Sequence, residues 1–185
     1  QRNYGTNGLN VLQMEGKINL NIHSSIFSNN HINQAGSVIH LNSTGGDSKV
    51  EINNSSMVNN TAPYGNQALF FNSLMPFTNT IPSKFPTFFV HSVSITNSTF
   101  TGHTTNYLEY GIRIKAGLTG TKLELNCVNN TFLNDKIWIE ANSSHLLPAG
   151  RSSFYFKSNI LSTSFIRTAP GSIYYTAVNL NYSSL

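Results

Sequence analysis

The sequence predicts an all-β protein in which one short-strand unit recurs and stacks on itself, as a single domain over residues 1–185. Three observations predict it. In five segments a large apolar residue is followed five positions later by another. In four of them a further apolar strand is centred twelve positions beyond that. No segment holds a 3.6-residue apolar period over three turns, whereas β-branched and aromatic runs bounded by Asn, Ser and Gly recur throughout.

Taken in order, G-L-N-V-L-Q-M (8–14) is the second half of a truncated first copy. The first full copy is I-H-S-S-I-F-S-N-N (22–30), with the pair Ile22/Phe27 and then Ile39 in S-V-I-H-L. I-N-N-S-S-M-V-N-N (52–60) supplies Ile52/Met57 and Leu69 in Q-A-L-F-F. I-T-N-S-T-F-T-G-H (95–103) supplies Ile95/Phe100 and Ile112 in G-I-R-I-K. C-V-N-N-T-F-L-N-D (127–135) is shortened: Cys127/Phe132 is followed after five residues by Ile137 in K-I-W-I-E. F-K-S-N-I-L-S-T-S (156–164) gives Phe156/Leu161 and, twelve on, Ile173 in G-S-I-Y-Y. About six turns of one unit result. Leading positions are 30, 43, 32 and 29 residues apart, too irregular for a helical repeat but suited to strands joined by variable loops. The stretch 72–90, with Phe77, Phe85, Phe88, Phe89 and three prolines, lacks either period and is expected to be one long loop lying across a face.

Stacked strands lie about 4.8 Å apart, so six would stand roughly 29 Å tall with aligned apolar residues forming one core. Cys127 aligns with Ile22, Ile52 and Ile95 and is therefore expected to point inward as a buried free thiol. The third residue of each copy after the leading one (Ser25, Ser55, Ser98, Asn130, Asn159) is expected to form a polar ladder at a bend. The residue before it is Ser24, Asn54, Asn97, Asn129 or Ser158, and three of these begin an Asn-x-Ser/Thr sequon. The N-glycosylation candidates are Asn42, Asn54, Asn59, Asn97, Asn129, Asn142 and Asn181, with Asn53 as an eighth, overlapping sequon. With 26 Asn and 40 Ser or Thr, that number is only slightly above what composition alone gives. A residue's outward neighbour in the next strand is His40, Phe70, Arg113, Trp138 or Tyr174, an aromatic and cationic stripe able to meet a sugar ring or a protein partner unless the long loop covers it.

The I-x-x-[NS]-x-[FM] pattern resembles the coil repeat of the right-handed parallel β-helix, or pectin-lyase-like, superfamily. F-S-N-N (27–30) and A-G-S-V-I (35–39) are also similar to the F-x-x-N and G-G-A-I repeats of polymorphic outer membrane proteins and related adhesins. The resemblance covers residues 8–180 and implies a fold that hosts many activities. Enzymes of that superfamily act on polysaccharides with clustered carboxylates or acidic calcium ligands. Here the seven acids are dispersed: Glu51 shares its column with Asn21, Ser94, Asn126 and Tyr155, and no catalytic motif of the family is matched.

Composition narrows the function classes. Charged residues make up 10% of the chain, against about 25% in an average domain, with Asn, Ser and Thr in their place, which suits an extracellular or cell-surface setting. Net charge is +4 but the cations are scattered, so nucleic-acid binding is not expected. No run of 18 apolar residues exists to span a membrane. The single cysteine rules out an internal disulfide, and the six histidines form no metal-ligand pair; His31 and His103 look like solvated loop residues. No cofactor is expected. The chain opens Gln1-Arg2 without Met or signal peptide, so a processed product or a piece of a longer protein is expected. The preferred reading is a non-catalytic extracellular structural or adhesive module, glycosylated, and stacked homotypically or against other parts of a larger chain, even as a fibre. The alternatives are a polysaccharide lyase, hydrolase or epimerase domain, and a carbohydrate-binding module.

Overall fold

A computed structural model describes residues 4–5, 11–32, 36–44, 46–62, 66–73, 89–103, 111–116, 121–133, 136–141, 153–162 and 165–168. Every regular element among them is a strand, so no described helix is long and apolar enough to cross a membrane. The strands form three parallel sheets and one two-stranded pair. A leading sheet contains Asn19–His23, Ser48–Asn53, Phe89–Thr96, Thr121–Val128 and Ser153–Lys157. A short sheet contains Ile26–Ser28, Ser56–Val58, Thr99–Thr101, Thr131–Leu133 and Ile160–Ser162. A third, six-stranded sheet contains Leu12–Gly16, Ser37–Ser43, Asn66–Ser73, Ile112–Ala116, Lys136–Ala141 and Phe165–Thr168.

The chain visits leading, short and six-stranded sheets in turn, and within each sheet neighbours in space are successive copies in sequence. This arrangement is compatible with a β-solenoid. The expected register holds strand by strand: Ile22, Ile52, Ile95, Cys127 and Phe156 pair in the leading sheet, and Phe27, Met57, Phe100, Phe132 and Leu161 in the short one. Alternation then decides burial. Val50, Ile52, Met57, Phe71, Val93, Phe100 and Phe132 are fully enclosed, while their sequence neighbours face outward. Phe100 and Phe132 stack with ring centres 5.3 Å apart, worth about 0.5–1.5 kcal/mol beyond area burial. Cys127 is a buried free thiol in this core.

Two expectations need correction. Asn72 and Ser73 finish the strand Asn66–Ser73, and Phe89 and Val90 begin Phe89–Thr96, because their flanking β-branched and aromatic residues extend the pairing; the connection is 74–88, outside the described residues. The last copy is shortened like the fourth. Ile166, five residues after Leu161, pairs with Ile137, so it takes the place expected for Ile173, which lies outside the described residues.

Candidate functional site

Two-residue turns join the leading sheet to the short one, and each is built the same way. Its first residue is Ser24, Asn54, Asn97, Asn129 or Ser158, all exposed and all left-handed, with φ between 47° and 54°. Asn tolerates that backbone better than most residues, because its short polar side chain bonds locally. Its N–H donates to the following copy, as from Asn54 N to Thr96 O (3.1 Å) and Asn97 N to Val128 O (3.0 Å). The second residue is inward. Ser25 N donates to Ser55 Oγ (3.1 Å), Ser55 N to Ser98 Oγ (3.2 Å), Ser98 N to Asn130 Oδ1 (2.9 Å) and Asn130 N to Asn159 Oδ1 (3.0 Å). The serines donate in turn to carbonyls two residues back, His23, Asn53 and Thr96. The longer Asn amides reach the preceding copy instead: Asn130 Nδ2 to Ile95 O (2.7 Å) and Asn159 Nδ2 to Cys127 O (2.9 Å). The expected ladder is therefore present, and it satisfies the buried turn amides.

A second ladder follows the short sheet and was not anticipated. Asn29, Asn59 and Gly102 are left-handed, and Asn30, Asn60 and His103 behind them are at most 2% exposed. Asn30 N and Nδ2 both donate to Asn60 Oδ1 (3.1 and 2.8 Å), while Asn60 Nδ2 reaches Phe27 O (3.0 Å) and His103 Nε2 (3.3 Å). His103 is thus a buried ladder member, not a solvated loop residue: its ring nitrogen stands where its predecessors carry an amide. His31 is half-buried, with Nδ1 2.6 Å from Thr61 Oγ1. The spacing of N-N, N-N and G-H after each five-residue pair was the available signal.

Gln13, His40, Phe70, Arg113, Trp138 and Arg167 are registered side by side across the six-stranded sheet, and Gln13, His40, Phe70 and Arg113 form its outward column. Arg167, not Tyr174, is registered beside Trp138; Tyr174 lies outside the described residues. His40 meets Phe70 edge to face with centres 4.9 Å apart, and the Arg113 guanidinium lies 5.8 Å from the Phe70 ring centre. Burial holds the His40 pKa below its ordinary value, opposed by the hydrogen bond its ring donates to the Asn42 side chain, so the ring favours the neutral form. The neighbouring column holds Glu15, Asn42, Asn72 and Lys115, with Asn72 Nδ2 donating to Asn42 Oδ1 at 3.4 Å. Together His40, Phe70, Arg113, Asn42, Asn72 and Lys115 set rings, amides and cations side by side on this sheet, chemistry suited to a sugar ring or a polar protein surface.

The sequons divide by position. Asn54, Asn59, Asn97 and Asn129 are exposed turn residues, whereas Asn42 and Asn53 are half-buried on strands. Asn142 and Asn181 lie outside the described residues. The turn amides also touch one another: Asn54 Nδ2 donates to Ser24 Oγ (3.1 Å) and Asn129 Nδ2 to Asn97 Oδ1 (3.3 Å). Glu51 is paired with Lys49 at 2.7 Å and stacks with Asn21 and Ser94, as its column predicts. Among the described residues no three His, Cys, Asp or Glu side chains gather to hold a metal ion.

A further polar cluster sits inside, where the six-stranded sheet turns toward the leading one. Ser43 and Ser48 share a 2.8 Å hydrogen bond, Ile18 N donates to Ser48 Oγ (3.1 Å), and Ser73 Oγ lies 2.7 Å from His91 Nε2. His91 is 2% exposed and lies against Phe71, ring centres 5.7 Å apart. Burial lowers its pKa, with the Asp47 carboxylate pulling the other way. A serine and histidine in contact resemble a nucleophile and its base, but each is only 2% exposed here. Compared with known proteins, the chain matches no family model, no curated protein and no solved structure.

Proposed function

We propose that this chain is a right-handed parallel β-helix of the pectin-lyase-like kind that serves as a non-catalytic structural or adhesive module outside the cell. Parallel strands joined by crossovers are right-handed as a rule, which supports the handedness. One observation carries the functional reading: inward apolar residues stack copy on copy in each sheet and polar side chains stack at two successive turns, so the Ser and Asn side chains of the turns are occupied in holding the stack together. The low charge and the exposed turn sequons favour an extracellular setting, in which Asn54, Asn59, Asn97 and Asn129 carry glycans. The intact mass of protein from its native source, before and after enzymatic deglycosylation, tests compartment and modification together; an unchanged mass argues against both. Release of unsaturated product from uronate polymers in the presence of calcium would overturn the non-catalytic reading.

A second reading, a carbohydrate-binding module, is favoured by the packed His40, Phe70 and Arg113 column. Glycan-array binding that is lost in both Phe70→Ala and Trp138→Ala would support it over the purely structural reading.

A further inference from the structure

The four exposed turn sequons are not equivalent. At the turn after the leading sheet, Asn54, Asn97 and Asn129 stand in one column, each a single copy from the next, which is about 4.8 Å. Their side chains lean back on the preceding copy. Asn54 Nδ2 donates to Ser24 Oγ (3.1 Å), Asn97 Nδ2 to Asn53 Oδ1 (3.3 Å) and Asn129 Nδ2 to Asn97 Oδ1 (3.3 Å). Asn97 is thus bonded through both amide atoms and has another sequon on either side, at Asn54 and Asn129.

Asn59 stands at the other turn, after the short sheet, and its surroundings differ. Its backbone is left-handed, with φ 50°, and its N–H donates to Thr101 O (2.9 Å). Among the described residues its Nδ2 has no hydrogen-bond partner. The preceding copy holds Asn29, in Asn29-Asn30-His31, which is not a sequon; the following copy holds Gly102. A methyl group built on Gly102 would overlap Asn59 Oδ1. The Asn59 amide therefore leans forward, into space that a side chain at 102 would fill.

N-glycosylation replaces one Nδ2 hydrogen with the anomeric carbon of the first sugar. The lipid-linked diphosphate that carried the sugar leaves with the proton, and one N–H remains on the amide. Which enzymes then reach the sugar depends on the folded surroundings. We propose that Asn59 presents the N-glycan of these turns that is open to enzymes that cut or trim it, that Gly102 supplies the room, and that the glycan on Asn97 is shielded. This ranks the sites of the glycosylated reading given above and rests on that reading.

The test takes the full chain secreted by a eukaryotic cell and treats it, folded, with a peptide N-glycosidase, which hydrolyses the Asn–sugar bond and leaves Asp. Peptide masses over a time course give the release rate at each site. Asn59 is expected to be freed about tenfold or more faster than Asn97, the factor that undoing the two amide hydrogen bonds of Asn97 entails. After denaturation the two rates should converge. Two substitutions exchange the surroundings. Gly102→Ser sets a side chain beside Asn59 on a left-handed backbone, which Ser24 and Ser158 already adopt, and should slow release at Asn59 alone by about tenfold. Asn129→Gly, at a φ of 54° that suits glycine, leaves a bare residue beside Asn97 and should speed its release toward the Asn59 rate, a readout that stands even if Gly102→Ser unfolds the chain. Similar rates at Asn59 and Asn97 in the folded protein, either site left unmodified, or an Asn97 rate indifferent to Asn129→Gly overturns the proposal. A secreted chain without any glycan overturns the glycosylated reading itself, an outcome distinct from equal rates on a modified chain.

Discussion

Replacing Asn130 by alanine tests the turn ladder at a buried member whose oxygen and nitrogen are both bonded. The side chain is buried, with Oδ1 accepting from Ser98 N at 2.9 Å and Nδ2 donating to Ile95 O at 2.7 Å. Asn130→Ala leaves the Ser98 N–H and one bond of the Ile95 carbonyl unmet inside the protein. Each such loss costs about 1–3 kcal/mol, and the two together about 3 kcal/mol. For a chain of this size that corresponds to a fall in Tm of about 6–12 °C. Asn130→Ser is the informative companion. Serine already fills this position at Ser98, where Oγ accepts from Ser55 N and donates to Thr96 O. A serine at 130 therefore keeps an acceptor for Ser98 N and forfeits only the reach to Ile95, for a loss of about 1 kcal/mol. Urea unfolding followed by circular dichroism, with thermal melts alongside, measures both. Equal losses for the two variants, or an alanine loss below about 0.5 kcal/mol, would refute the reasoning, because the ladder bonds would then contribute nothing a surface substitution does not.

Other consequences follow from the same geometry. Burial puts the folded pKa of His91 below 6.5, so the unfolded chain binds more protons near that pH; stability is complete above about 6.5 and declines as the pH falls below it toward the folded value. The half-buried His40 adds to this decline in the same window. The urea midpoint should therefore drop between pH 7.5 and 5, and the slope should be shallower in His91→Gln; a flat profile would contradict the burial. Burial also raises the Cys127 thiol pKa, so a thiol reagent at pH 8 should leave the native protein unlabelled and modify it within minutes in urea. At Asn97, where φ is 49°, Asn97→Val should lose about 1–2 kcal/mol while Asn97→Gly stays near the parent. The reverse order in urea melts would show that the turn is not left-handed.

Much of this arrangement was legible because repetition supplies its own alignment. The intervals of five and twelve residues located the columns of Ile22 and Ile39, and with them the inward Cys127 and the ladder from Ser25 to Asn159. Legibility failed where one position is filled by unlike residues. Asn30, Asn60 and His103 share a role through ring and amide nitrogens, and a pattern of residue types does not equate them. The end of the last copy was misplaced because Ile166 and Ile173 are both flanked by residues suited to strands, and only pairing with Ile137 separates them. The cluster of Ser43, Ser48, Ser73 and His91 joins positions up to 48 residues apart, at the corner where chain spacing varies most. The outward column was readable as far as Arg113, since alternation in a strand needs only one correct inward residue.

The two-residue turns after the leading sheet never change length, while the connections from the six-stranded sheet back to it run from 44–47 and 117–120 to 74–88 and 142–152. The connections from the short sheet to the six-stranded one vary too, from 102–111 down to 134–135 and 163–164, so length changes are collected at two of the three corners and the register of all three sheets survives them. A length change between Ile112–Ala116 and Thr121–Val128 would fall between strands that are each paired on both sides, so the molecule has the build of a graftable scaffold whose one invariant corner is the two-residue turn.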